Sequence, residues 1–475
     1  MNEIAALDPT RLVIAALAGL VILLVLIIRF KVPAMIAILV GAVLIGLGSG
    51  MPFDQIVTAV DDGVGNTLKG IALLVGLGSM FGAILEISGG AKVLAETLVD
   101  RFGDRKAAWA LAITGLVIAI PVFFDAGLII LIPLAFSLAR KTGRSTLYYA
   151  IPLLAGLAVG HAFIPPTPGP VLVAAMLGVD LGRVIMIGAA CGIAAMIVAG
   201  PVWGAYCGKK YFVPARETAE ESATEGSRDA AQAENGAAEA ARSPQGAGQP
   251  ARRLPSFCTV AVIILIPLIL IVLKSVAGVA EALAPARGVI NFLGEPFVAL
   301  TIATITAMVL LGYRNGYSAA ELEKVMTRSL EPVGLILLVT ACGGVLRYIL
   351  QYSGLGGIIG NAVASAAFPM VIVAFLVAAL VRISVGSATV AMTMAAGIIA
   401  AMPEVAGLSP THLACITAAI AGGATVCSHF NDSGFWLVRS LLGMDEKTTL
   451  KTWTVMETLV GCTGFLVALI ISFFV

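Results

Sequence analysis

Two short stretches put residues that bind or titrate in places where a membrane helix would otherwise continue. The first, Gly160 to Pro170, holds four prolines and two glycines in eleven residues, with His161 and Thr167 among them. Proline lacks an N–H and clashes with the carbonyl four residues back, so no continuous helix runs through it. The second, Ser428 to Trp436, carries His429, Asn431, Asp432 and Ser433 between apolar flanks. Irregular backbone at membrane depth survives only when buried in protein or lining a wet cavity, where its freed amides and carbonyls grip a solute. An extracellular loop is the other reading of the first stretch. His161 and His429 open the two stretches in parallel, which favours a shared site over satisfied core histidines; imidazole also titrates near neutral pH.

Two more sites of chemistry sit inside long apolar segments. Asp125 follows Phe123 and Phe124 and precedes an apolar run to Phe136, a costly setting for a carboxylate and a natural one for a carried proton. It is equally placed to accept backbone amides at a hairpin tip. Arg382 has no other Lys or Arg between Arg347 and Arg439. Its guanidinium suits a carboxylate of substrate, or a balancing acid such as Asp432 or Asp125. Ser384, Ser387, Thr389 and Asn431 offer hydroxyl and amide groups nearby in sequence. Trp436 reads as an apolar wall, an interfacial anchor or a sugar-stacking surface. Glu457, Glu331 and Arg347 read as helix-end or interface residues.

The elements that must position these residues follow from composition. Of 475 residues 59% are hydrophobic and only 12% charged, against about a quarter charged in soluble domains. Repeated apolar runs of about 20 residues specify helices spanning a bilayer, an all-α polytopic membrane protein. Lys plus Arg at 29 against Asp plus Glu at 28 leaves a net charge near zero, so no nucleic-acid partner is expected. The seven cysteines lack CxxC or Cys/His ligand spacing, so neither a metal site nor a cofactor is expected. No cleaved signal is expected, because the first apolar run is long and ends in Arg29 and Lys31.

Apolar segments run over Leu12 to Ile28, Val32 to Leu47, Gly70 to Ile87, Ala107 to Leu138, Leu147 to Leu177 and Val184 to Tyr206. A second series covers Phe257 to Val272, Phe292 to Leu311, Pro332 to Leu350, Phe368 to Ala401, Leu413 to Leu442 and Trp453 to Val475. Between them, residues 209–256 are rich in Ala, Glu, Gly, Gln and Ser and read as a disordered cytoplasmic linker. The halves are therefore 1–208 and 257–475. Leu73-Leu74-Val75 and Ile84-Leu85-Glu86-Ile87-Ser88-Gly89 recur as Leu337-Leu338-Val339 and Ile349-Leu350-Gln351-Tyr352-Ser353-Gly354. A short amphipathic stretch precedes each copy, at Asp54 to Leu68 and Ala320 to Leu330. Basic residues in short loops place the amino terminus outside and make Ala107 to Leu138 and Phe368 to Ala401 re-entrant hairpins. Their tips fall at Pro121 to Gly127 and Arg382 to Thr389. Each half then has five crossings, one hairpin and one broken helix, and an odd number of crossings inverts the second half.

At these motifs the chain resembles the gluconate permease (GntP) family of gluconate:proton symporters, within the ion transporter superfamily. The likeness covers nearly the whole chain outside the linker, through Met51-Pro52, Ser88 to Ala91, Gly160 to Pro170, Asn291 to Pro296, Arg382 to Ala391 and Ser428 to Trp436. It implies import of gluconate or a related sugar acid with protons across the bacterial inner membrane. It also implies a hairpin-bearing transport domain moving against a scaffold formed by the first two helices of each half, with a homodimer contact there. Asp125 stands where the family has Glu, Thr167 where relatives often have a second His, and Ser433 where relatives often have Pro. The first change shortens an acid by one methylene; the second bears on substrate choice.

The reading that joins these strands puts a sugar acid between the two breaks and two tips. Arg382 meets its carboxylate, and Ser384, Ser387, Thr389, His161, Thr167, His429, Asn431 and Asp432 surround it. Asp125 couples the proton. Its rivals are a Na⁺-coupled carboxylate or D-serine carrier, a passive channel, and an intramembrane hydrolase using Ser387 and His161. No nucleophile elbow supports the last.

Overall fold

The computed structural model describes residues 9–103, 106–215, 254–354 and 368–475. These residues are predominantly helical, and among them no strand occurs. In the first half the helices are α1 (Pro9–Ile28), α2 (Ala34–Ser49), α3 (Phe53–Ile87), α4 (Gly90–Phe102), α5 (Ala107–Ala119), α6 (Phe124–Thr142), α7 (Leu147–Phe163), α8 (Pro168–Leu177), α9 (Leu181–Ile197) and α10 (Trp203–Lys210). The second half supplies α11 (Phe257–Val279), α12 (Arg287–Leu293), α13 (Pro296–Ala307), α14 (Ala319–Ser329), α15 (Glu331–Tyr352), α16 (Met370–Val385), α17 (Ala388–Ala400), α18 (Pro410–Gly423), α19 (Ser433–Leu442), α20 (Glu446–Thr449) and α21 (Val455–Ser472). Among the described residues seven helices are long and apolar enough to cross a membrane, eight if a bent pair within α3 counts as one span. The chain is a polytopic membrane protein.

The apolar surface sorts these helices into an outer belt and an interior. Ile14, Leu17 and Val21 on α1, Val262, Leu265 and Ile269 on α11, and Ile305 on α13 are exposed, which is tolerable only against lipid. In contrast α7 is almost wholly buried, from Leu147 through Phe163, with only Tyr148 and His161 half-covered. Small residues let its neighbours come close: a Cβ on Gly156 would collide with the backbone carbonyl of Ala112 on α5.

Both segments expected to be hairpins contain a short helix. α5 has 13 residues and α17 has 13, which at about 1.5 Å per residue reach about two thirds of a bilayer core roughly 30 Å thick. The segment Ala107 to Leu138 is therefore two helices turning at Ile120 to Phe123, and Phe368 to Ala401 is two helices turning at Gly386 and Ser387. Leu147 to Leu177 likewise divides into α7 and α8 around the break at Ile164 to Thr167.

Three details differ from the sequence reading. The amphipathic stretch Asp54 to Leu68 and the apolar segment Gly70 to Ile87 are joined in one helix, α3, which bends 41° on entering Ile71–Ile87. Helix α4 was not expected, because its mixed composition carries no long apolar run; it packs on α5. The linker expected over 209–256 begins later. Lys209 and Lys210 close α10, and Thr146 N–H bonds the Val213 carbonyl at 2.9 Å. The rest of it, 216–253, lies outside the described residues, as do residues 355–367.

Candidate functional site

The second tip and the second break close on each other. Helix α16 ends where the Gly386 N–H bonds the Arg382 carbonyl at 2.9 Å, and Gly386 takes φ +84°, a left-handed turn that suits glycine. A Cβ there would also collide with the Asn431 carbonyl. The chain restarts at Ser387, whose hydroxyl caps α17 by accepting the Val390 N–H at 3.4 Å. Across the gap, Asn431 donates from Nδ2 to the carbonyls of Ile383 at 2.8 Å and Ser384 at 3.3 Å. His429 Nε2 lies 3.1 Å from the same Ile383 carbonyl. These bonds satisfy the last carbonyls of α16, which no helix residue can reach.

At the centre of this clasp is an ion pair. Arg382, 3% exposed, donates from Nη2 to Asp432 Oδ2 at 2.5 Å. Asp432 also accepts from the Ser428 hydroxyl at Oδ2, and from the Gly434 N–H at 3.0 Å through Oδ1, which caps α19. Both of its oxygens accept a hydrogen bond. Arg382 is not fully engaged: Nε and Nη1 are buried without a hydrogen-bond partner.

The stretch leading into α21 holds this break from behind. Trp453 Nε1 donates to the Ser428 hydroxyl at 2.7 Å, Thr454 donates to the Ser428 carbonyl, and Thr458 Oγ1 accepts the Cys427 N–H at 3.1 Å. Cys427 has φ +53°, unusual for a residue with a side chain. Glu457, 5% exposed, interacts electrostatically with Arg382 and Asp432, and its Oε1 has no hydrogen-bond partner. The sequence reading set Glu457 aside as a helix residue. The missed signal was an acid within an apolar span, the argument already applied to Asp125.

The first tip and first break line a small cavity of about 20 Å³, room for about one water. Its walls include Pro121 to Phe123 from the tip, His161, Thr167 and Pro168 from the break, and Gly78 and Ser79 from α3. The Pro165-Pro166 peptide is cis. Thr167 is buried and donates to the Ile164 carbonyl at 2.7 Å, with its acceptor capacity still open. His161 Nδ1 is buried without a partner. Ser79 donates to the Ser329 carbonyl at 2.5 Å.

The two sets meet through aromatic and small-residue contacts. Phe124, at the start of α6, lies 5.6 Å from the Trp453 ring. Gly169, at the start of α8, abuts the Met392 sulfur on α17. Other expected residues lie at the edges of these clusters. Ser384 is half-buried and its hydroxyl returns to the Leu380 carbonyl at 2.8 Å; Thr389 is half-buried at the start of α17. Asp125 is exposed in the first turn of α6 and does not line the cavity. The expectation of an acid enclosed by apolar neighbours is corrected here, because the helix turns at Phe123 and carries Asp125 to the open side. Trp436 donates Nε1 to the Phe430 carbonyl at 2.9 Å and packs on Phe430 and Phe435, a wall rather than a free stacking face.

Comparison with known proteins adds a further finding. Residues 11–474 match the family described as GntP family permease. The chain is 36% identical over 463 residues to the low-affinity gluconate transporter of Escherichia coli, covering 97% of this chain and 98% of that one. It is 35% identical over 464 residues to the gluconate permease of Pseudomonas aeruginosa, covering 97% of both. Its fold is similar to the crystal structure of the YdaH transporter of Alcanivorax borkumensis, with a TM-score of 0.60 at 17% identity over 89% of this chain and 90% of that one.

Proposed function

The chain belongs to the GntP family of permeases, a multi-pass protein of the bacterial inner membrane rather than an enzyme, and from that premise we propose that it imports gluconate or a related sugar acid by proton symport. The observation that carries this reading is Arg382. A guanidinium is buried at a membrane-embedded helix break, Asp432 takes one of its nitrogens, and two others stay unclaimed. A buried cation with open donors is a receptor for a carboxylate. The relatives named for gluconate transport supply the substrate class.

In this reading the carboxylate of the substrate joins Arg382, and its hydroxyls meet His161, Thr167, Ser384, Ser387, Thr389, His429 and Asn431 as the tips and breaks adjust around it. Asp432 holds Arg382 in place. Asp125, exposed at the first tip, is the entry point at which the coupled proton exchanges with water. The halves 1–208 and 257–475 are inverted repeats. The pairing of α5 with α7 and of α16 with α18 supports this, since each joins the first arm of a hairpin to the first arm of a broken helix. Hairpins and broken helices form a transport domain that moves as an elevator against α1, α2, α11 and α13, whose lipid-facing surface also serves a homodimer.

Uptake of labelled gluconate into proteoliposomes tests the proposal. Uptake should accelerate when the outside is made acidic, and it should be indifferent to sodium at fixed pH. Uptake blind to the pH gradient overturns proton coupling. Failure to transport gluconate, idonate or other sugar acids overturns the substrate class.

A further inference from the structure

We infer that Glu457 on α21 is the residue that carries the transported proton, and that it does so by offsetting the charge of a substrate carboxylate at Arg382. This deepens the reading above and rests on it. The argument is one of charge within a closed space. The centre holds one guanidinium, Arg382, and two carboxyls, Asp432 and Glu457. Asp432 accepts hydrogen bonds at both oxygens, from Arg382 and Ser428 on one side and from the Gly434 amide on the other. It acts as the fixed counter-ion of Arg382. Glu457 is the carboxyl left over, buried, with Oε1 unpartnered.

An ionised carboxylate in such a place keeps a large desolvation cost unless a cation compensates it. With Arg382 already paired, Glu457 can ionise only while the unclaimed donors of Arg382 face it rather than a substrate. When a sugar acid brings its own carboxylate to those donors, the centre gains one negative charge, and a proton on Glu457 removes one. Empty with Glu457 ionised, and loaded with Glu457 protonated, the centre has the same net charge. A substrate entering with Glu457 still ionised would add a second uncompensated negative charge to a low-dielectric interior, so the substrate crosses with the proton.

The position of Glu457 suits this role. It lies one turn beyond Trp453, which holds Ser428 and through it Asp432, so both side chains occupy one helix face. The charged groups that act on Glu457 are Arg382 from α16 and Asp432 from the break. The other elements packed on α21, including α7, α9 and α18, add no charge acting on it among the described residues.

The test uses full-length wild type, Glu457→Gln and Glu457→Asp in proteoliposomes, beside Asp125→Asn. Glu457→Gln should lose accumulation driven by a pH gradient while still exchanging internal for external gluconate; Glu457→Asp should restore part of the accumulation. Infrared difference spectra of the purified proteins across pH provide a readout independent of transport. A carboxyl C=O band that changes with pH in wild type should be missing in Glu457→Gln and present in Asp125→Asn. Gradient-driven accumulation by Glu457→Gln, or an unchanged carboxyl band in that variant, overturns the inference. A wild type that ignores the gradient, with the band still lost in Glu457→Gln, keeps the proton site and sinks the symport reading instead.

Discussion

Arg382 gives one guanidinium nitrogen to Asp432 at 2.5 Å and keeps Nε and Nη1 buried without partners. The pair joins the end of one hairpin arm to the break that follows α18, so a charge needed for binding also fastens two irregular segments together. Such a contact is expensive to half-remove. Replacing Arg382 by Ala leaves the Asp432 carboxylate enclosed without its cation, at a cost of about 3–5 kcal/mol. We expect Arg382→Ala to melt well below wild type in detergent and to transport nothing. Arg382→Lys keeps the charge but loses the planar fork, so its melting should stay near wild type while KM for gluconate rises. A lysine variant with unchanged KM would show that Arg382 only balances Asp432.

The clasp around Gly386 predicts a stability effect separable from binding. Gly386→Ala must adopt φ near +84° and push against the Asn431 carbonyl, a cost of more than about 1 kcal/mol. Asn431→Ala loses its bonds to Ile383 and Ser384, each worth about 1 kcal/mol. Both variants should lower the melting temperature. Amide exchange at Ile383 to Val390 should quicken in both, since this segment is held from the break. Unchanged exchange there would mean that the tip is fixed by other contacts.

His161 allows the opposite separation. Its Nδ1 makes no hydrogen bond, so His161→Leu removes a buried, unpaired polar atom without breaking a protein contact; melting should hold or rise. Uptake should fall, because the cavity beside Pro121 and Thr167 loses the imidazole that lines it. In contrast Thr167→Val loses the hydroxyl bond to the Ile164 carbonyl, which keeps only the backbone N–H of residue 167 at 3.4 Å, and should cost about 1 kcal/mol. Transport and melting measured on both variants distinguish a binding role from a packing one.

How far the sequence reached depended on the kind of signal each residue left. The first break was visible because of its prolines, and the second tip because Arg382 interrupts an apolar run; the structure places irregular backbone at Ile164 to Thr167, around Pro165 and Pro166, while Pro168 and Pro170 sit in the first turn of α8, where proline is tolerated. Asp125 gave a similar signal yet lies exposed, because one further residue of turn at Phe123 decides which way it faces, and single-residue geometry is not encoded in hydropathy. Glu457 was passed over for the reverse reason. It sits near the start of an otherwise ordinary apolar helix, and only the return of that helix to the Ser428 break, a tertiary event, brings it to Arg382. Helix α4 escaped because its mixed composition resembles a loop.

Trp453 joins the two halves of the candidate site and its two contacts can be taken apart. Its indole N–H holds Ser428, and through Ser428 the Asp432 carboxylate; its ring meets Phe124 at the start of α6. Trp453→Phe keeps a ring against Phe124 and deletes the hydrogen bond, a loss of about 1 kcal/mol. Phe124→Ala keeps the hydrogen bond and deletes the ring pair, worth about 0.5–1.5 kcal/mol beyond burial. If the indole N–H orients the charge centre, Trp453→Phe should raise KM for gluconate and lower the rate of gradient-driven uptake, while Phe124→Ala should act on melting more than on KM. The ring pair also spans the two halves, so the double variant should lose more than the sum of the two if tip and break move as one body. Additive losses would assign Trp453 to its own half alone.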